Sequence, residues 1–356
     1  MANPLSLGVL GCGNIGMVHL QSARTMDDVT VRAVADPVAA NRERAREWDV
    51  ENTYDDYADL LATEDLDVAI VAVPPFLHRD AVEAAAAAGV DVFVEKPLAR
   101  SVAEVDALLD AADAGGIRVG VDHTIRYQAD VRAVRDAYAA GRIGHVPFAS
   151  IVRVNDGPFE RPPADGPIPT WPLDPEAAGG GALMELGVHL FDVLDWLFGD
   201  MEVLSAETAR QLELPVEDAA TVLCRSAETG TVATLHCGTY QWEELPEVNM
   251  GLRLEGVAGT LDSRDHVPDN FHAHAARSAL SNLRARFGRT APEPFEPTYY
   301  LRAHYDALSA FLDAIRAGES PPVDGAAGRR AVELAEAAYE AAETEPPIEA
   351  QRSEVP

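Results

Sequence analysis

Leu5 to Leu10 form an apolar run that leads without a break into Gly11-Cys12-Gly13-Asn14-Ile15-Gly16 and then into a helical pattern. Strand, glycine turn and helix in immediate succession constrain the fold strongly, because this is the context in which such glycines serve a dinucleotide. Gly11 permits the tight turn, Gly13 lets the backbone approach a pyrophosphate, and Gly16 lets helix and strand pack closely. Asn14 and Ile15 complete the candidate cofactor turn, at the helix N-terminus where the pyrophosphate would rest. A second strand, Val29 to Ala35, ends in Asp36, twenty residues after Gly16. A carboxylate there accepts hydrogen bonds from ribose hydroxyls and repels a 2′-phosphate, so the expected cofactor is NAD rather than NADP.

Helices and strands then alternate. The patterns predict helices over 38–48, 81–88 and 102–114, and strands over 68–73, 90–94 and 117–121. That alternation predicts an α/β fold with a doubly wound parallel sheet. Pro74-Pro75 stops the strand over 68–73 at the edge that carries Gly11 and Asp36, which places Pro74 and His78 near the cofactor. His78 could equally have only a local role at a helix start. After Asp122-His123 the rhythm changes, dividing the chain into a cofactor domain, 1–122, and a substrate-binding and oligomerisation domain, 123–356. The second domain should hold a helix over 129–139, a strand over 147–154, a helix over 179–198, strands over 203–208, 219–225, 231–239, 248–255 and 259–261, and final helices over 299–317 and 326–342. Several of those strands alternate in polarity, which fits a large open mixed or antiparallel sheet with one wetted or dimer-forming face. The proline-rich stretch 157–175 is a candidate lid, with Trp171 as the large aromatic at its centre.

Lys96 is the one lysine among 356 residues, beside 27 arginines. It follows Val92-Phe93-Val94-Glu95 and precedes Pro97, so it stands at the carboxyl end of a parallel strand, where ligands bind in open α/β sheets. An ammonium is a compact point charge suited to proton transfer and polarisation, whereas a guanidinium stays charged throughout; the bland alternative is a lysine that escaped a drift to arginine. Glu185 and His189 are spaced i to i+4 among apolar neighbours, with Asp192 a turn further on. At that spacing the carboxylate should touch the imidazole, fixing its tautomer and raising its basicity as a general base. A surface ion pair would show the same spacing, and without a clear third ligand the pair specifies no metal.

Fifty-nine acidic residues against 28 basic ones give a net charge of −31, which repels nucleic acid and anionic membranes. Such acidity with lysine nearly abolished is what adaptation to very high salt would produce. Cys12, Cys224 and Cys237 lack CxxC spacing, so neither a disulfide framework nor a thiolate zinc site is indicated. The N-terminus carries no charged region leading into an apolar segment, and the expected location is the cytoplasm. Residues 270–292 contain no acid but carry Arg277, Arg284, Arg286 and Arg289 beside an apolar stripe of Ala276, Leu280, Leu283 and Phe287. That pattern reads as an amphipathic helix that caps its own domain, docks a neighbouring subunit or binds phosphate.

Taken together, Gly11 to Gly16 with His19 behind them, Pro74 to His78, Glu95-Lys96-Pro97-Leu98, Arg126-Tyr127, and Gly179-Gly180-Gly181 leading to Glu185, His189 and Asp192 resemble the glucose-fructose oxidoreductase, inositol dehydrogenase and MocA family. The resemblance implies a Rossmann domain, a C-terminal α/β domain whose open sheet builds a homodimer or homotetramer, and NAD(P)-dependent chemistry on sugars, polyols or activated sugars. It implies that Lys96 binds the reacting hydroxyl, that His189 is the acid/base with Glu185, and that Glu95 adjoins the cofactor. It also places Arg126 and Tyr127 at the substrate, where the loop reading puts Trp171, and makes Lys96-Pro97 a candidate cis bond. Glu185 replaces a usual Asp, and Pro75 a frequent Asn. A glycosidase that oxidises its substrate transiently, or a cofactor-binding regulator, would share the same frame.

Overall fold

The computed structural model describes residues 4–155, 170–240, 250–266 and 299–344. The arginine-bearing segment 277–289 and most of the proline-rich stretch lie outside them. In the first half, β1 (Leu5–Leu10), β2 (Val29–Ala35), β3 (Asn52–Tyr54), β4 (Val68–Val71), β5 (Asp91–Val94) and β6 (Val119–Val121) form one sheet in the order β3-β2-β1-β4-β5-β6, and every pairing is parallel. All four residues of β4 are buried, as a strand covered on both faces requires. The covering helices are α1 (Asn14–Arg24), α2 (Ala39–Arg46), α3 (Tyr57–Thr63), α4 (His78–Ala88) and α5 (Val102–Gly115). At the start of α5, Ser101 accepts a hydrogen bond from the Glu104 backbone amide, so its helix begins at a capped turn.

The second half opens with α6 (Ala129–Ala139) and β7 (Phe148–Val154) and continues through α7 (Pro175–Ala178), α8 (Val188–Phe198), β8 (Met201–Ala209), β9 (Ala219–Ser226), β10 (Val232–Gly238), β11 (Met250–Gly256) and β12 (Gly259–Asp262). Its sheet runs β12-β11-β7-β10-β9-β8 and is mixed, with β7 and β10 parallel and the remaining pairs antiparallel. Along β9, Ala220, Val222 and Cys224 point into the core while Thr221, Leu223 and Arg225 point outward. The stretch Pro175–Phe198 has the length and apolarity of a membrane span, but 78% of its most apolar window is buried inside the protein. It is a core helix.

The last two helices, α9 (Tyr299–Ala317) and α10 (Gly325–Thr344), return to the first sheet. Ala303, Ala307, Leu308, Phe311, Leu312 and Ile315 of α9 belong to the same buried cluster as the strands of that sheet. Phe311 packs on Phe93 with ring centroids 5.2 Å apart, and a Cβ on Gly120 would sit 2.4 Å from its ring. The cofactor half thus completes its core with residues from the far end of the chain. Helix α10 bridges both cores, with Val332 in the first and Leu334, Ala335 and Ala338 in the second.

Candidate active site

A cavity of about 990 Å³ runs along the carboxyl edge of the first sheet and ends against the second domain. At one end the glycine turn closes: Gly11 has φ +94°, and a Cβ on it would lie 2.4 Å from the Ala72 carbonyl oxygen. A Cβ on Gly16 would lie 1.9 Å from the Gly11 oxygen, while one on Gly13 meets nothing within 4 Å. Gly13 therefore faces free space at the start of α1, the cradle that a pyrophosphate needs. Beside it, Asp36 is fixed by the amides of Cys12 (2.8 Å) and Val38 (2.8 Å) and by Asn41 Nδ2 (3.1 Å). These residues fit the adenosine half of a dinucleotide, and the length of the cavity accommodates the rest.

At the other end lie Lys96 and His189, brought together from β5 and α8. The Lys96-Pro97 bond is cis. Lys96 Nζ donates to Glu185 Oε1 at 2.7 Å and to the Glu185 carbonyl at 3.1 Å. Glu185 therefore pairs with the lysine, not with His189 as the i to i+4 spacing predicts. The reason is local: Leu183–Gly187 is a π-helical turn, whose i to i+5 bonding takes up an extra residue and breaks the α-helical i to i+4 register between residues 185 and 189. His189 Nδ1 is buried with no hydrogen-bond partner among the described residues, and its ring stands edge-on to His123 at 5.9 Å. Burial first, and then the Lys96 charge, push its pKa well below the ordinary histidine value. The imidazole is held neutral and can accept a proton, although no carboxylate among the described residues raises its basicity.

The π turn is held by Glu217, which no sequence pattern singles out. Its carboxylate accepts from the amides of Gly181 (3.0 and 2.9 Å) and Leu183 (3.1 Å) and from the Tyr339 hydroxyl (2.6 Å). A Cβ on Gly181 would lie 2.1 Å from the Glu217 carbonyl oxygen, so the glycine triplet is there to let this clamp close.

Gly11, Gly13, Asn14, Ile15, Asp36, Pro74, Glu95, Lys96, Trp171, Glu185 and His189 all line the one cavity. Gly16 stands behind the turn, packed against the Gly11 carbonyl, and three further residues expected there do not line it either. His78 is fully buried, with Nδ1 at the carbonyls of Pro97 (3.0 Å) and Leu98 (3.2 Å) and Nε2 at that of Val73 (2.9 Å). It braces the lysine turn from behind. Arg126 is committed to a bidentate pair with buried Asp192 at 2.7 and 2.6 Å, and with Tyr127 it lines a separate pocket beside Trp196. Thr124 takes the place on the cavity wall. Sequence reasoning also missed a buried cluster behind Lys96, in which His19, Glu95, Asp122 and His304 bring side-chain polar atoms within 4.8 Å of one another. His19 and Glu95 stand within recognisable motifs, but no sequence signal links His304 to them.

A parallel six-stranded sheet in this order, with an open glycine cradle and an acidic residue at the end of its second strand, defines a dinucleotide-binding domain suited to NAD. Comparison with known proteins agrees: residues 5–123 match the model of the GFO_IDH_MocA oxidoreductase family with its NAD-binding Rossmann fold, and residues 131–262 match the GFO/IDH/MocA C-terminal domain. The chain belongs to this family. It is 28% identical to D-apiose dehydrogenase of Paraburkholderia graminis, over 93% of this chain and 86% of that one. It is 24% identical to myo-inositol 2-dehydrogenase of Thermotoga maritima, over 95% and 96%. A crystal structure of an oxidoreductase from Agrobacterium radiobacter with NAD+, L-tartaric acid and magnesium superposes with a TM-score of 0.78 at 20% identity, over 96% of this chain and 97% of that one.

Proposed function

We propose that the protein is an NAD-dependent dehydrogenase that oxidises a hydroxyl-bearing carbon of a sugar, polyol or activated sugar. The observation that carries this reading is the meeting of Lys96 and His189 at the end of a cavity whose other end is the glycine cradle and Asp36. Bound NAD would supply the hydride acceptor. Asp36, Gly13 and the start of α1 hold the cofactor, while Lys96 Nζ donates a hydrogen bond to the substrate oxygen and stabilises negative charge that develops there. Glu185 keeps the ammonium at that point, and the neutral imidazole of His189 takes the hydroxyl proton. Trp171 forms the apolar wall against which a sugar ring would lie. The relatives with dehydrogenase names support the substrate class.

The single lysine and the net charge of −31 support a cytoplasm of high salt as the setting. The outward residues of β9 and its neighbours support a homodimer or homotetramer formed through that sheet face. The test is a panel of sugars, polyols and nucleotide sugars with NAD in molar salt, followed by NADH absorbance. NAD binding without turnover anywhere on the panel, or sugar release without net NADH, would sink the proposal.

Asp36 allows a separate test. Asp36→Ser removes the charge that repels a 2′-phosphate, and the ratio of kcat/KM for NADP over NAD should rise by at least about tenfold, ~1.4 kcal/mol. Should the wild type already use both cofactors equally, the role given to Asp36 fails.

A further inference from the structure

Behind Lys96, four titratable side chains from four separate elements meet in the interior. His19 of α1 lies with Nε2 at 2.7 Å from Glu95 Oε1 and 3.4 Å from Asp122 Oδ2, and His304 Nδ1 of α9 lies 2.8 Å from that same Asp122 oxygen. All four are buried, with exposures of 0% for His19, 7% for Glu95, 1% for Asp122 and 2% for His304. Two of these contacts have hydrogen-bond length. Ligands at about 2.0–2.1 Å from a tetrahedral metal would stand roughly 3.3 Å apart, so the spacing suits protons better than a divalent ion. Two carboxylates this close in a low dielectric disfavour a second negative charge, which favours one of them keeping a proton.

Which one is decided by the neighbours. Glu95 takes the shorter contact with His19, and its Oε2 accepts from the Lys96 backbone amide at 3.2 Å. Asp122 Oδ1 is buried without a hydrogen-bond partner among the described residues. Burial and the adjacent Glu95 charge hold the Asp122 carboxyl well above the usual range; burial pushes Glu95 up as well, but His19 and then His304 outweigh it and hold that carboxyl down at about 2. The other titratable or charged groups that face the cluster are Lys96 itself, His78 of α4, His123 beyond β6, Arg153 of β7 and His189 of α8.

We propose that Glu95 and Asp122 hold one proton between them, carried by Asp122, and that the single negative charge left on Glu95 positions Lys96 at the substrate oxygen. Both are positioning residues, and this role rests on the reading of Lys96 given above. The proton itself does not, and it can be seen directly. Infrared spectra of the full-length protein at neutral pH should contain a protonated carboxyl band that disappears in Asp122→Asn. Absence of the band, or its persistence in that variant, overturns the proposal, as does a stoichiometric divalent metal in the purified protein. In turnover, Glu95→Gln should lower kcat on the order of 10²-fold with little change in KM, because the displaced lysine no longer meets the reacting oxygen. Asp122→Asn, which imitates the protonated acid, should lose at least about tenfold less than Glu95→Gln, on the same geometric ground. It should also lack the alkaline fall in kcat that the wild type shows when Asp122 ionises. Equal losses in the two variants, or an unchanged alkaline limb, overturn the proposal. If Glu95→Gln does not fold, the infrared band and the pH profile of Asp122→Asn decide. A band that behaves as expected in a protein whose Lys96→Arg variant is fully active would sink the lysine reading and leave the shared proton standing.

Discussion

Lys96→Arg should lose at least about 10² in kcat while NAD affinity changes by less than about threefold. Lys96 presents a compact donor at the end of the cavity that meets the second domain, and its ammonium is already held by the side chain and the carbonyl of Glu185. A guanidinium would keep the charge and would still pair with Glu185, so the electrostatics of the empty site change little. It cannot place a single donor at the same point, because the planar fork extends past the position of Nζ. The glycine cradle and Asp36 lie at the other end of the cavity and are untouched. The check is a fluorescence titration with NAD beside steady-state rates on the best substrate of the panel. A variant that keeps more than about a tenth of wild-type kcat removes Lys96 from the centre of the mechanism, since polarising and proton-transfer groups contribute ~10² or more.

The second large effect concerns acid. His78, His123, His189 and His304 are each buried, and burial is the first cause that lowers the pKa of each. For His304 the value falls from 6.5 to about 4. Unfolded chains bind these protons near pH 6.5 and the folded protein does not, so stability is full above that pH and falls as pH drops from 6.5 toward the folded values. His304 alone contributes about 3 kcal/mol to that loss, from 1.36 kcal/mol for each unit. The other three shift in the same direction and deepen the loss, in a fold whose whole stability is typically only ~5–15 kcal/mol. Asp122 works in the opposite direction, since its raised folded value makes its contribution grow as pH falls. Glu95, lowered from 4.5 to about 2, adds a further loss only below its unfolded value. Urea midpoints at pH 7.5 and pH 5 in molar salt, where the general negative field is screened, should show a much lower midpoint at pH 5. A midpoint that holds or rises on acidification contradicts the burial of neutral histidines.

Much of the first domain was legible because its physics is local. Strands buried on both faces read as unbroken apolar runs, and Gly11, Gly13 and Gly16 stand at fixed offsets from the strand that precedes them. The pair β3 and α3 escaped notice because Asn52–Tyr54 is short and half-exposed and carries no period to recognise. At the site, sequence spacing named Lys96, Glu185 and His189 but paired them wrongly, since one π-helical turn defeats any argument from i to i+4. Arg126 looked available for substrate until Asp192, 66 residues away, was found to take both of its donors. Glu217 and His304 were illegible for the same reason: their meaning lies in contacts with distant parts of the chain, which nothing nearby in the sequence announces.

The return of α9 to the first sheet has a consequence for how the protein is made. A ribosome adding about 5–20 residues per second needs on the order of 10–40 s to travel from Val121 to Ile315. Throughout that interval the nascent cofactor domain has all six strands but lacks Phe311 and its neighbours, so Phe93 and the face around Gly120 remain uncovered. The dinucleotide half is first in synthesis and among the last to finish folding, and during translation it offers a chaperone an apolar surface that the mature enzyme hides.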